Sequence, residues 1–129
     1  MSAPIVFVSH NAVKQGKLEG FRDAFADVAR ALDVEKPGTV VFLAFANEDG
    51  TQVSVVHVFP DAAAMGAHLE GVEERMGVAA GYIETKGYEI YGTPDEPVLE
   101  AMRGFANAQG VPLSVRTDHI GGYLRPGAG

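Results

Sequence analysis

The segment Thr39–Phe59, TVVFLAFANEDGTQVSVVHVF, constrains the fold more than any other part of the chain. Two strongly apolar runs, Val40–Ala46 and Val53–Phe59, flank the turn signal Asn47-Glu48-Asp49-Gly50, so the segment reads as a β-hairpin. A hairpin with one wet face alternates apolar and polar residues. These runs scarcely alternate, which requires that both faces of the sheet be covered. A chain of 129 residues builds one domain with a real core, and its own helices suffice for one face. The second face calls for another subunit, so a homodimer through the sheet face is the expected assembly.

The rest of the sequence supplies the helices. Pro4–His10 is a short β-rich run and reads as a first strand. Over Lys14–Asp33 the period changes: Leu18, Phe21, Phe25, Val28 and Leu32 recur at spacings of three and four and form one helical face. Pro37-Gly38 stops that helix and opens the hairpin. After Pro60, Asp61 is placed to cap a second helix whose stripe is Met65, His68, Leu69, Val72 and Met76. Gly77 is expected to break it before a short segment, Val78–Ile83. Gly87–Gly92 reads as a fourth strand. Thr93-Pro94-Asp95-Glu96 starts a third helix, with Thr93 as cap, Pro94 at the first helical position and Glu96 completing a capping box. Its stripe is Val98, Leu99, Met102, Phe105 and Ala106, and Gly110 suits its end. Leu113–His119 is a last strand whose polarity fits an edge, and Arg125–Gly129 is expected to be a frayed tail.

The order β-α-β-β-α-β-α-β predicts an α+β domain spanning residues 1–129. Its first six elements form a ferredoxin-like split βαβ, with helices on one face of an antiparallel sheet and an added C-terminal helix and strand. Two such sheets packed face to face make a dimeric α+β barrel.

Composition narrows the function. The formal charge is −7 and the pI about 4.9, a poor match to nucleic acid or an anionic membrane. The chain has no cysteine, which removes disulfides, thiolate nucleophiles and Cys-ligated clusters. The N-terminal MSAPIVFVSHN does not read as a signal peptide, and no stretch approaches the ~20 apolar residues of a membrane span, so a cytoplasmic location is expected. Neither a Walker loop, nor G-x-G-x-x-G, nor G-x-S-x-G is present. The histidines show no H-x-x-x-H or H-x-H spacing, so no metal or other cofactor is expected.

One junction points to a family. In His57-Val58-Phe59-Pro60-Asp61-Ala62-Ala63-Ala64-Met65-Gly66-Ala67-His68, an aromatic ends a strand, an acidic residue caps an Ala-rich first turn, and a histidine follows about seven residues into the helix. This resembles the strand-to-helix junction of the dimeric α+β barrel superfamily, and within it the antibiotic-biosynthesis-monooxygenase-like family. Lys14–Gly16 before the first helix and Pro37-Gly38-Thr39 before the second strand fit as well. The resemblance covers roughly residues 4–92. It implies a cofactor-independent monooxygenase-like enzyme acting on a small aromatic or polyketide-like substrate between sheet and helices.

Histidines are the side chains whose ordinary pKa lies near neutrality. His68, between Met65 and Leu69 on the sheet-facing side of its helix, is the candidate general base or donor to a phenolic ligand. The competing reading is a core histidine satisfied by backbone or tyrosine. His57 shares strand parity with Val53, Val55 and Phe59; it joins His68 in one pocket if that parity faces the helices, and lies in the dimer interface if it does not. His10 and Asn11, at the end of the first strand, are placed either at a pocket mouth or on a surface loop. Phe59 and Tyr82 are further candidates to contact substrate, with core packing as the alternative. His119, next to Asp118, reads as a turn residue, since neighbours on a strand point apart. Two other functions stay open: haem binding with His68 as axial ligand, and a non-catalytic dimer that holds a small hydrophobic molecule or has a structural role.

Overall fold

A computed structural model describes residues 3–125. Its elements are β1 (Ile5–Val13), α1 (Leu18–Glu35), β2 (Val41–Ala46), β3 (Gln52–Phe59), α2 (Ala62–Leu69), α3 (Val72–Ala79), β4 (Ile83–Tyr91), α4 (Glu96–Gln109) and β5 (Leu113–Arg116). The five strands form one sheet in the order β2-β3-β1-β4-β5. The first four pair antiparallel in the split βαβ arrangement, and β5 adds to the edge parallel to β4. A parallel neighbour needs a crossover, and α4 supplies it.

Register decides which residues face the helices. His57 lies opposite Phe7 on one side and Phe42 on the other, so these three point the same way. The buried set Val53, Val55, His57 and Phe59 on β3 shares that face with Ile5, Phe7 and Asn11 of β1. One apolar cluster packs Ile5, Phe7, Phe59, Tyr88 and Ile90 against Met65 of α2 and Met102 and Ala106 of α4. A second joins Phe21 of α1 to Val53 and Val55, with Phe25, Phe42 and Tyr82 against it. Full burial of a ring such as Phe59, at 0% exposure, contributes about 2–3 kcal/mol.

No helix among the described residues packs on the opposite sheet face. Its β2–β3–β1 part carries Val41, Leu43, Phe45, Val56, Val58, Val6 and Val8; Leu43 is 49% and Phe45 60% exposed. The double apolar character of the hairpin is therefore real: one face is filled by the chain's own helices and the other is left uncovered. The same face also carries polar residues: His10 on β1, Ser54 on β3, and Glu89, Tyr91 and Arg116 on β4 and β5.

The expected stripes of α1 and α4 face inward, with Phe21, Leu32, Met102 and Ala106 buried. The Asp61 side chain accepts the Ala64 backbone N–H at 2.8 Å, as the capping argument requires. Several element boundaries differ from the sequence reading. The helix after Asp61 breaks at Gly71, not Gly77: Gly71 sits at φ +81°, a left-handed conformation disfavoured for side-chain-bearing residues, and separates α2 from α3. Strand β4 starts at Ile83, four residues before Gly87. At the start of α4 the N-cap is Asp95, with no side-chain capping bond, and Glu96 and Pro97 open the helix; the Thr93 hydroxyl instead donates to the Thr117 carbonyl at 3.3 Å. The last strand ends at Arg116, so His119 lies exposed beyond it. Of the expected tail only Arg125 is described, its guanidinium 4.7 Å from the Tyr123 ring centroid; residues 126–129 lie outside the described residues. No helix among the described residues is long and apolar enough to cross a membrane.

Candidate active site

Between sheet and helices lies a cavity of about 520 Å³, in the range of small-molecule sites. Its sheet side presents Phe7, Val55, His57 and Tyr88; α1 contributes Phe21 and Phe25, α2 His68, and α4 Met102 and Phe105. The remaining wall is α3, through Val72, Arg75 and Met76. Most of this lining is apolar.

His57 and His68 meet at the cavity, with ring centroids 5.1 Å apart and rings nearly perpendicular at 81°. His57 stacks on Phe7 at 4.6 Å and its Nδ1 donates to the Phe7 carbonyl at 3.0 Å. A carbonyl only accepts, so the Nδ1 of a neutral His57 holds the proton and Nε2 the lone pair. His68 Nδ1 is hydrogen-bonded to the Thr39 hydroxyl at 2.8 Å. A hydroxyl both donates and accepts, so His68 is free to present either a lone pair or an N–H at Nε2. Neither Nε2 has a hydrogen-bond partner among the described residues, and none of their fully buried side-chain polar atoms lacks one. Both Nε2 atoms therefore retain open space, and both histidines line the cavity.

The pair is neutral at physiological pH. Burial pulls His57 from the ordinary 6.5 to about 4, with a smaller push from Arg75, while the bond to Phe7 opposes the shift. His68 falls to about 3, first through burial and then through the charges of His57, Arg75 and Lys36. Desolvation disfavours the imidazolium in both.

Phe59 and Tyr82 back the site without lining it. The Phe59 ring sits 5.2 Å from His68 and 6.2 Å from His57. Tyr82 packs in the second apolar cluster, over Gly20 of α1. Asn11 lines the cavity; its Nδ2 donates to the Val53 carbonyl at 3.2 Å and to the Ser9 hydroxyl at 3.2 Å. His10 is placed elsewhere. It alternates with Asn11 along β1 and so points to the uncovered sheet face, where its Nε2 donates to Glu89 at 2.5 Å and its Nδ1 is bonded to the Ser54 hydroxyl at 3.0 Å. Strand parity thus places His10 on the sheet face opposite this cavity.

Two contributors escaped the sequence reading. Thr39 was visible only as part of Pro37-Gly38-Thr39, without a partner. Arg75 lies between Val72 and Met76 on α3, where its polarity concealed its place beside the apolar stripe. Its guanidinium donates to the carbonyls of His68 and Glu70, at 3.1 Å to the latter. Among the described residues no group of three or more His, Asp or Glu gathers as a metal site would require.

Residues 4–76 match the family model for antibiotic biosynthesis monooxygenase. The chain belongs to this family, whose role is monooxygenase-like and whose members are typically dimeric. No curated protein matches the sequence. Among solved structures, MupZ from Pseudomonas fluorescens is 20% identical, with 96% of each chain covered and a TM-score of 0.72. SnoaB, a cofactor-independent oxygenase from Streptomyces nogalater, is 18% identical over 73% of this chain and 96% of its own, with a TM-score of 0.59. A conserved protein from Methanosarcina mazei is 17% identical over 70% of this chain and 92% of its own, with a TM-score of 0.61. At these identities the likeness is one of fold. With MupZ it extends over nearly the whole chain, α4 and β5 included.

Proposed function

We propose that the protein is a cofactor-independent monooxygenase-like enzyme that oxidises a small aromatic or polyketide-like substrate in the cavity between sheet and helices. The observation that carries this reading is the convergence of two neutral histidines, both lining a largely apolar cavity of about 520 Å³. Family membership and the likeness to SnoaB agree with it.

His57 is the fixed base: its Nε2 lone pair accepts the proton of a phenolic or enolic hydroxyl, and its Nδ1–H stays on the Phe7 carbonyl. A pKa of about 4 makes an isolated imidazole a weak base. A substrate anion formed next to it reverses that, because an adjacent negative charge favours the imidazolium. His68 donates to the same oxygen from Nε2 when the Thr39 hydroxyl serves as donor to Nδ1. The electron-rich anion then reacts with dioxygen. A phenol and O2 give a quinone and water: one oxygen atom becomes the new carbonyl, the other leaves as water, and the substrate supplies all the electrons. The apolar lining keeps bulk water from the anion.

The test is oxygen uptake with a panel of quinols and aromatic polyketides, followed by His57→Gln and His68→Ala on whichever substrate turns over. Loss of about 10²-fold or more in kcat is expected for His57→Gln. Full activity in both variants would sink the enzyme reading. A Soret band on haem titration that His68→Ala abolishes would replace it with haem binding.

The uncovered apolar part of the sheet is assigned here to a second copy of the chain, giving the dimeric barrel. Val41, Leu43, Phe45, Val56 and Val58 from each sheet would meet across a two-fold axis. Light scattering decides this, and a stable monomer would refute it.

A further inference from the structure

We infer that the ligand of this cavity carries a carboxylate, and that Arg75 receives it. The inference rests on the reading of the cavity as a substrate site and adds the substrate's charge.

The chain as a whole is acidic, with 17 Asp and Glu against 10 Lys and Arg. The cavity inverts this balance. Its charged lining residues are Lys14, Arg75 and Glu84. Glu84 is already paired with Lys86 at 3.4 Å, on its own strand. Lys14 and Arg75 have no carboxylate within ion-pair distance among the described residues. Lys14 Nζ donates to the Ala80 carbonyl at 2.5 Å, and Arg75 to the carbonyls of His68 and Glu70. Two cations on one cavity are thus hydrogen-bonded only to neutral oxygens, and no carboxylate among the described residues pairs directly with either.

Arg75 is the better placed of the two. Its guanidinium is half-buried and partly desolvated, and Glu35 offsets part of that effect. A guanidinium has five N–H donors; two go to the carbonyls that end α2, and the others remain for a planar, bidentate acceptor. The same positive charge acts on both histidines. A carboxylate bound at Arg75 relieves that repulsion, so binding one end of the ligand makes the histidines at the other end better bases. Lys14, bonded to Ala80 at the C-terminal end of α3, adds attraction.

The experiment titrates the protein with two naphthalene probes that differ in the carboxylate alone, 2-naphthol and 3-hydroxy-2-naphthoate, and follows probe fluorescence. The wild type is expected to bind the naphthoate about tenfold more tightly or better, the size of a charge-assisted hydrogen bond. Arg75→Gln keeps N–H donors for the α2 carbonyls but removes the charge; it should bind both probes alike. Arg75→Lys should restore part of the preference. If Arg75→Gln does not fold, Lys14→Met gives a second reading, with the preference reduced and the fold intact. Equal affinities in the wild type, or a preference that survives in Arg75→Gln, would overturn the inference. Binding of neither probe would overturn both it and the cavity reading. A preference that follows Arg75 beside full turnover in the histidine variants would leave the carboxylate site standing and remove only the proposed chemistry.

Discussion

The neutral histidine pair should make folding stability fall steeply in mild acid. In the unfolded chain both residues titrate near 6.5, whereas in the fold His57 titrates near 4 and His68 near 3. Between those values the unfolded state binds protons that the folded state does not, so stability is complete above pH 6.5 and is lost as pH falls. At pH 5 the linkage amounts to about 2 kcal/mol for each histidine and about 4 kcal/mol for the pair, a large share of the 5–15 kcal/mol typical of a domain. Carboxylates titrate lower, so the window from pH 7.5 to pH 5 isolates the histidines. Urea unfolding at fixed protein concentration reads the effect directly. His68→Leu should remove about half of the pH dependence, and the double variant with His57→Phe nearly all of it. A wild-type unfolding free energy at pH 5 within about 1 kcal/mol of its pH 7.5 value would show that the pair is not held neutral by burial.

Other consequences are as direct. Thr39→Val removes the hydroxyl on His68 Nδ1 and should lower stability by about 1 kcal/mol, with the methyl groups preserving volume; an unchanged urea midpoint would mean the bond contributes nothing. Gly92→Ala should destabilise by about 2 kcal/mol or more, because φ is +115° and the new Cβ would come within 2.8 Å of the Pro4 carbonyl oxygen; a wild-type melting temperature would contradict that geometry. Leu43→Glu with Phe45→Glu places two carboxylates on the uncovered sheet face and should yield a monomer by light scattering; a persistent dimer would move the interface elsewhere.

What the sequence disclosed, and what it withheld, follows from the reach of each signal. Hairpin, helical stripes and strand order rest on local periodicity, which one sequence carries in full. The Asp61 cap was legible because donor and acceptor are three residues apart. Strand β4 was cut short because its period is broken: β1 pairs His10 with Gly87 but Asn11 with Thr85, leaving Lys86 as a bulge. Thr85 and Tyr88 thus share a face at a spacing of three, which no alternation rule finds. For the site, His57 and His68 were identified as candidates, yet their meeting depended on hairpin parity, which apolar runs on both faces leave undetermined. The Thr39–His68 bond spans 29 residues and the Phe7–His57 bond 50, and neither distance leaves a trace in local pattern.

Helix α3 walls the cavity and contains no buried residue. The apolar clusters that hold the fold together draw on the sheet, α1, α2 and α4 instead. The α3 wall of the cavity therefore lies outside the apolar clusters, while the sheet, α1 and α4 serve both cavity and core. Changes at Val72 and Met76 alter what the cavity admits without touching either apolar cluster.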